Sequence, residues 1–144
     1  MALESIHILL VEDNEGDILL TSEALEEGKI LNKLSVVRDG KEALDFLNKK
    51  GDIKEAKVPD LVLLDVNLPK MNGHEVLKYI KQHDDLKTIP VIMLTTSSSQ
   101  EDIDSSYRNY ANCYITKPIE VGDFMEAIIQ IEEFWVNLVN LPSK

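Results

Sequence analysis

The chain predicts an α/β fold: a doubly wound, five-stranded parallel sheet in the strand order 2-1-3-4-5. Three observations carry this. Strand and helix signals alternate five times along the 144 residues. The strand-like segments are short apolar runs, as strands buried on both faces read. Acids, a lysine, glycine or proline punctuate the ends of these runs. Strands alternating with helices imply a parallel sheet covered on both faces. Right-handed crossovers then leave 2-1-3-4-5 as the natural order for five units.

Ile6 to Val11 reads as the first strand, running into Glu12-Asp13. Ile18, Ser22 and Leu25, with Leu19 beside them, follow at helical spacing. Leu34 to Val37 is a short second strand ended by Asp39-Gly40, and Ala43, Leu44 and Leu47 mark a second helix closed near Gly51. Gly51 to Lys57 is a charged, solvated loop. Leu61 to Leu64 is the third strand; Asp65 ends it and opens the turn Val66-Asn67-Leu68-Pro69-Lys70-Met71-Asn72-Gly73. Gly73 to about His83 is the third helix, with Val76, Leu77 and Ile80 inward. Pro90 to Leu94 is the fourth strand. A weak fourth helix (Ile103, Tyr107, Tyr110) opens at Ser99-Gln100-Glu101-Asp102, a capping-box pattern. Asn112 to Ile115 is the fifth strand, and a long final helix with a short tail starts near Glu120. Residues 1–144 read as a single domain.

A net charge of −11 argues against direct nucleic-acid binding and against an anionic membrane surface. No apolar run approaches the roughly 18 residues of a membrane span. No secretory signal is visible, and the expected compartment is the cytoplasm. The single cysteine, Cys113, leaves no internal disulfide framework and no cysteine-based zinc site, and reads as a small buried hydrophobe. His7, His74 and His83 are scattered, with surface positions expected.

Open α/β sheets place their chemistry at the carboxyl ends of the strands. There this chain carries Glu12, Asp13, Asp65, Thr95 and Lys117. Clustered carboxylates need a counter-charge. Lys117 supplies one positive charge, and a divalent cation such as Mg2+ suits the oxygen ligands. A carboxylate beside Mg2+ is a competent nucleophile toward phosphorus. The metal and the lysine stabilise charge on the transferring group. Thr95 is placed to hydrogen-bond a phosphoryl oxygen, and Tyr114 to repack when Thr95 moves. Taken singly these residues have plainer readings: Asp65 as a turn cap, Glu12-Asp13 as an N-cap of the first helix, Thr95 as a strand-end threonine, Tyr114 as core.

The motifs Val11-Glu12-Asp13-Asn14, Leu63-Leu64-Asp65-Val66-Asn67-Leu68-Pro69, Asn72-Gly73, Leu94-Thr95 and Tyr114-Ile115-Thr116-Lys117-Pro118, in this order, resemble the two-component response-regulator receiver domain over roughly residues 5 to 130. The resemblance implies a flavodoxin-like fold and a phosphorylation-activated signalling switch. By it, Asp65 is the phosphoacceptor, and Glu12, Asp13, Asp65 and the backbone carbonyl of Asn67 hold Mg2+. Thr95 and Tyr114 form the switch, and Lys117 contacts the phosphoryl group. The only chemistry implied is the domain's own phosphoryl transfer and autodephosphorylation. Ile131-Glu132-Glu133-Phe134-Trp135 through Leu141-Pro142, with Asn112-Cys113-Tyr114, is similar to the small regulators paired with bacterial phytochrome histidine kinases. Two positions depart from the common pattern: Thr96 follows the switch threonine where a small residue is frequent, and Tyr110 replaces a glycine before Ala111.

Phe124, Ile128, Ile131, Trp135 and Leu138 form an apolar stripe on the final helix, and Met125, Ile129, Val136 and Val139 a second line. A broadly buried helix fits both lines. Read as an exposed patch, they predict a homodimer through the fourth helix, fifth strand and fifth helix. Nothing after the fifth strand is long enough for an output domain, so the expected partners are a sensor histidine kinase and a downstream protein or phosphotransfer partner. Two alternatives are weaker. An aspartate-nucleophile phosphohydrolase matches the order Asp65, Thr95, Lys117, but it expects aspartate where Asn67 stands. A flavin carrier needs a phosphate loop where Glu12-Asp13-Asn14-Glu15 would repel phosphate.

Overall fold

The computed structural model describes residues 6–27, 32–48, 59–95, 113–116 and 122. The elements are β1 (Ile6–Val11), α1 (Glu15–Glu27), β2 (Asn32–Val37), α2 (Gly40–Asn48), β3 (Leu61–Asp65), α3 (Gly73–Gln82), β4 (Val91–Thr95) and β5 (Cys113–Thr116). All strand pairs are parallel, in the order β2-β1-β3-β4-β5. The expected fourth helix, the final helix with its two apolar lines, and the loop 51–57 lie outside the described residues.

The strands are apolar on both sides because both sides are covered. Alternate side chains point to opposite faces. Leu9, Val11, Val62, Leu64, Val91 and Met93 meet Ala43 and Leu47 of α2 and Val76, Leu77 and Ile80 of α3 on one face. Ile8, Leu10, Leu61, Leu63, Ile92, Leu94 and Ile115 meet Leu25 and the partly buried Ile18 of α1 on the other. Each fully buried leucine or isoleucine contributes on the order of 1.5–3 kcal/mol relative to exposure.

The helices begin where side chains satisfy their first amides. Asn14 opens α1, its Oδ1 accepting from Asp17 N at 2.9 Å. The N-cap is therefore Asn14 and not Glu12 or Asp13. Asn72 opens α3 with a full capping box: its Oδ1 accepts from Glu75 N at 3.0 Å, and its own N donates to Glu75 Oε1 at 3.1 Å. Asp39 opens α2, with its Oδ1 accepting from Glu42 N at 2.8 Å.

Several boundaries differ from expectation. β2 starts two residues earlier, at Asn32, because its pairing with β1 begins at Ile6 opposite Asn32, ahead of the apolar run. β3 includes Asp65, which pairs in register with Leu94. β5 runs one residue later than expected. Leu19 is 58 % exposed and Leu20 44 %, whereas Thr21, Ala24 and Leu25 are buried. Ile18 and Leu25 face the sheet as their spacing predicts, and only Leu19 beside them turns outward. The histidines are half-buried, not superficial. His7, for one, hydrogen-bonds Ser35 Oγ through Nε2 at 2.9 Å and packs edge-on to Phe46.

Candidate metal and phosphoryl site

Register builds the site. Val11 lies opposite Leu64, so the next residue of each strand, Glu12 and Asp65, stands at the same level. The alternation that sends Ile8, Leu10, Leu61 and Leu63 to one face sends Glu12 and Asp65 the same way. Glu12 stays pinned to the sheet beyond the end of β1, its N donating to Val37 O at 3.0 Å. Asp13 follows and is exposed.

Carboxylate oxygens of Glu12, Asp13 and Asp65 lie within 4.8 Å of one another. Glu12 is 1 % exposed and Asp65 3 %, while Asp13 is exposed. Two buried carboxylates and a third at the surface form an oxygen-rich cluster open to solvent on one side. Burying a charge without compensation is costly. The donor set is all oxygen and carries several formal negative charges, which fits a hard divalent cation such as Mg2+.

The loop after Asp65 is folded back onto it. Asn67 N donates to Asp65 Oδ1 at 3.2 Å, Val66 N to Leu94 O at 2.9 Å, and Gly73 N to Val66 O at 2.9 Å. Gly73 is required by this return: a Cβ there would stand 2.2 Å from the Asp65 carbonyl oxygen. Asn67, whose carbonyl is the expected fourth protein ligand, thus sits one turn from the carboxylates. On the other flank Glu12 Oε2 accepts from Asn14 N at 3.2 Å, which ties the acid to the start of α1.

Thr95 closes β4 one residue beyond Leu94, the register partner of Asp65, and is itself opposite Thr116. Tyr114 lies on β5 opposite Met93. Backbone positions therefore bring Thr95 to the same sheet edge as Asp65 and put Tyr114 on the adjoining strand. Lys117 lies outside the described residues, one position past the end of β5. The sequence reading missed two charged contacts at the rim. Arg38 Nη1 pairs with Glu15 Oε2, and Lys70 Nζ lies 3.7 Å from Asp39 Oδ2. Neither pair has a sequence signature, because each joins segments far apart in the chain whose approach is set by the fold.

Comparison with known proteins identifies the family of the chain. A family model described as the response regulator receiver domain matches residues 8–129. Response regulator Rcp1 of Synechocystis sp. is 45% identical over 136 residues, which is 94% of this chain and 92% of that protein. The structure of a phosphorylated cyanobacterial phytochrome response regulator, RcpA, superposes with a TM-score of 0.77 at 45% identity, covering 96% of this chain and 99% of that one. The Mn2+-bound form of Rcp1 superposes at 0.74 and 44% identity, covering 95% and 99%.

Proposed function

The chain belongs to the response regulator receiver domain family, and on that premise we propose that it is a signalling switch activated by phosphorylation of Asp65. The observation that carries this is the cluster of Glu12, Asp13 and Asp65 at the carboxyl ends of β1 and β3. A phosphohistidine on a sensor kinase is the donor. The bond between its imidazole nitrogen and phosphorus breaks as an Asp65 oxygen bonds to phosphorus, and the imidazole leaves. Attack of water on phosphorus later restores the carboxylate and releases phosphate.

Glu12, Asp13, Asp65 and the Asn67 carbonyl would hold Mg2+, which when bound offsets negative charge on the phosphoryl group. Asn67 N, already donating to Asp65 Oδ1 at 3.2 Å, orients the carboxylate. Thr95 and Tyr114 read the phosphoryl group, and Lys117 supplies the neighbouring positive charge. The phosphoryl group shifts a two-state equilibrium, and a few kcal/mol of differential stabilisation is sufficient. The family match lends no support to the phosphohydrolase alternative. Among the described residues no helix is long and apolar enough to cross a membrane.

Similarity to Rcp1 and RcpA makes a phytochrome histidine kinase the partner of choice. Output passes through protein contacts or onward phosphotransfer, with the chain acting as a homodimer through its fourth helix, fifth strand and fifth helix. The deciding experiment is incubation with Mg2+ and acetyl phosphate, followed by intact mass. One phosphoryl group should be gained, and Asp65→Asn should abolish the gain. Labelling that persists in Asp65→Asn would remove the assignment.

A further inference from the structure

We propose that Asp39 is a positioning residue for the divalent-metal site, acting through Lys70 and the Met71 backbone on the loop that joins β3 to α3. This rests on the reading of Glu12, Asp13, Asp65 and the Asn67 carbonyl as metal ligands. The loop is anchored at both ends near Asp65, through Val66 N to Leu94 O and Gly73 N to Val66 O, each 2.9 Å. Its outer bend leans on the start of α2. There Lys70 has a φ of 69°, and no other non-glycine residue among those described has positive φ. A lysine in the left-handed region is conformationally strained, so neighbouring structure must hold it.

Asp39 and Gly40 supply that structure. The Asp39 carboxylate is buried, 7 % exposed, and divides its two oxygens. Oδ1 accepts from Glu42 N at 2.8 Å, and Oδ2 stands 3.7 Å from Lys70 Nζ. Asp39 is thus fixed to α2 by its own capping bond, and Lys70 is drawn to a point that does not move. Next to it, a Cβ on Gly40 would lie 2.1 Å from Met71 O and 2.7 Å from Met71 Cβ. The backbones of 39–40 and 70–71 are therefore in direct contact. This contact and the ion pair set the path of the loop, and Asn67 lies three residues before Lys70. Mg2+ demands near-ideal octahedral geometry, so a small displacement of one carbonyl ligand lowers its affinity.

Isothermal titration with Mg2+ separates this role from two simpler ones. Asp39→Asn keeps a capping oxygen and loses the charge. Lys70→Met keeps the stem and loses the charge. Each should weaken Mg2+ binding by about three- to fivefold, the scale of one partly exposed ion pair. The double variant should bind no more weakly than the weaker single one, because both changes break the same link. Through-space charge alone predicts the opposite for Lys70→Met, since removing a cation near an acidic site tightens Mg2+. A purely structural role would lower the melting temperature and leave Mg2+ affinity unchanged. Tightening in Lys70→Met, additive losses, or unchanged affinity in both singles would overturn the proposal while wild-type binding stands. Absence of Mg2+ binding in the wild type would overturn the metal-site reading and this proposal together.

Discussion

Gly73 bears a close approach between the end of β3 and the loop that follows it. A methyl group there would meet the Asp65 carbonyl at 2.2 Å and Val66 Cα at 2.8 Å, both backbone atoms that cannot swing aside. Gly73→Ala should therefore destabilise the protein by about 1–3 kcal/mol or more, read as a lower urea midpoint at unchanged slope. At this scale the carboxylates were legible in the sequence. A parallel strand that ends in an acid delivers that acid to the working edge of the sheet, and Glu12 and Asp65 needed no further information. Asn14 as the cap of α1 was not legible, because Asp13 and Asn14 are both acceptable caps and only the backbone path chooses between them. The Asp39–Lys70 pair was hidden for a similar reason: it depends on the φ of Lys70.

The elements followed their apolar runs closely. They departed where pairing, and not composition, sets the limit, as at Asn32 and Asp65. Leu19 misled because it is apolar and adjoins Ile18, although the line of Ile18 and Leu25 correctly marks the edge of α1 that faces the sheet. The turn between α3 and β4 holds a device with no sequence signature. Lys81, half-buried, donates from Nζ to Lys87 O at 3.1 Å and to Ile89 O at 2.6 Å, clamping the turn that leads into β4. Desolvation lowers its pKa from 10.5 to about 8. The unfolded chain thus holds more protons than the folded one between those values, and this group's contribution to stability rises with pH across that window. Below it, both states are charged and the desolvation cost applies in full. The neutral amine retains two N–H groups for the same two carbonyls. Lys81→Met should lower stability by about 1–3 kcal/mol through the lost bonds. Wild type should also pull further ahead of the variant as pH rises from about 8 toward 10.5 in urea denaturation series.

The molecule as a whole carries a charge of −11, so compaction works against self-repulsion. Salt should raise the melting temperature, and Mg2+ should raise it further than NaCl at equal ionic strength. Saturation at a hundredfold excess over Kd is worth about 2.7 kcal/mol. Chelation should reverse the Mg2+ increment alone; equal effects of the two salts would speak against a built metal site. The homodimer is tested at the same scale by sedimentation at high micromolar concentration, with and without phosphorylation. A monomer under both conditions would exclude it. Topology was legible before any coordinates, because alternating units and right-handed crossovers leave so few orders. How the chain meets a partner was not, since an apolar helix line serves an interior and an interface equally well.

The pairing of β1 with β3 joins segments more than fifty positions apart in the chain, with Ile8 opposite Leu61 and Val11 opposite Leu64. Contacts of that span close late, after local turns and helices have formed. Glu12 and Asp13 ride on one of these strands and Asp65 on the other. A nascent or half-made chain therefore keeps Glu12-Asp13 apart from Asp65, and the trio exists only after the central strands have zipped together. The cluster is in this way a product of the central strand pairing: disrupting that pairing disperses the acids even where the local turns and helices survive.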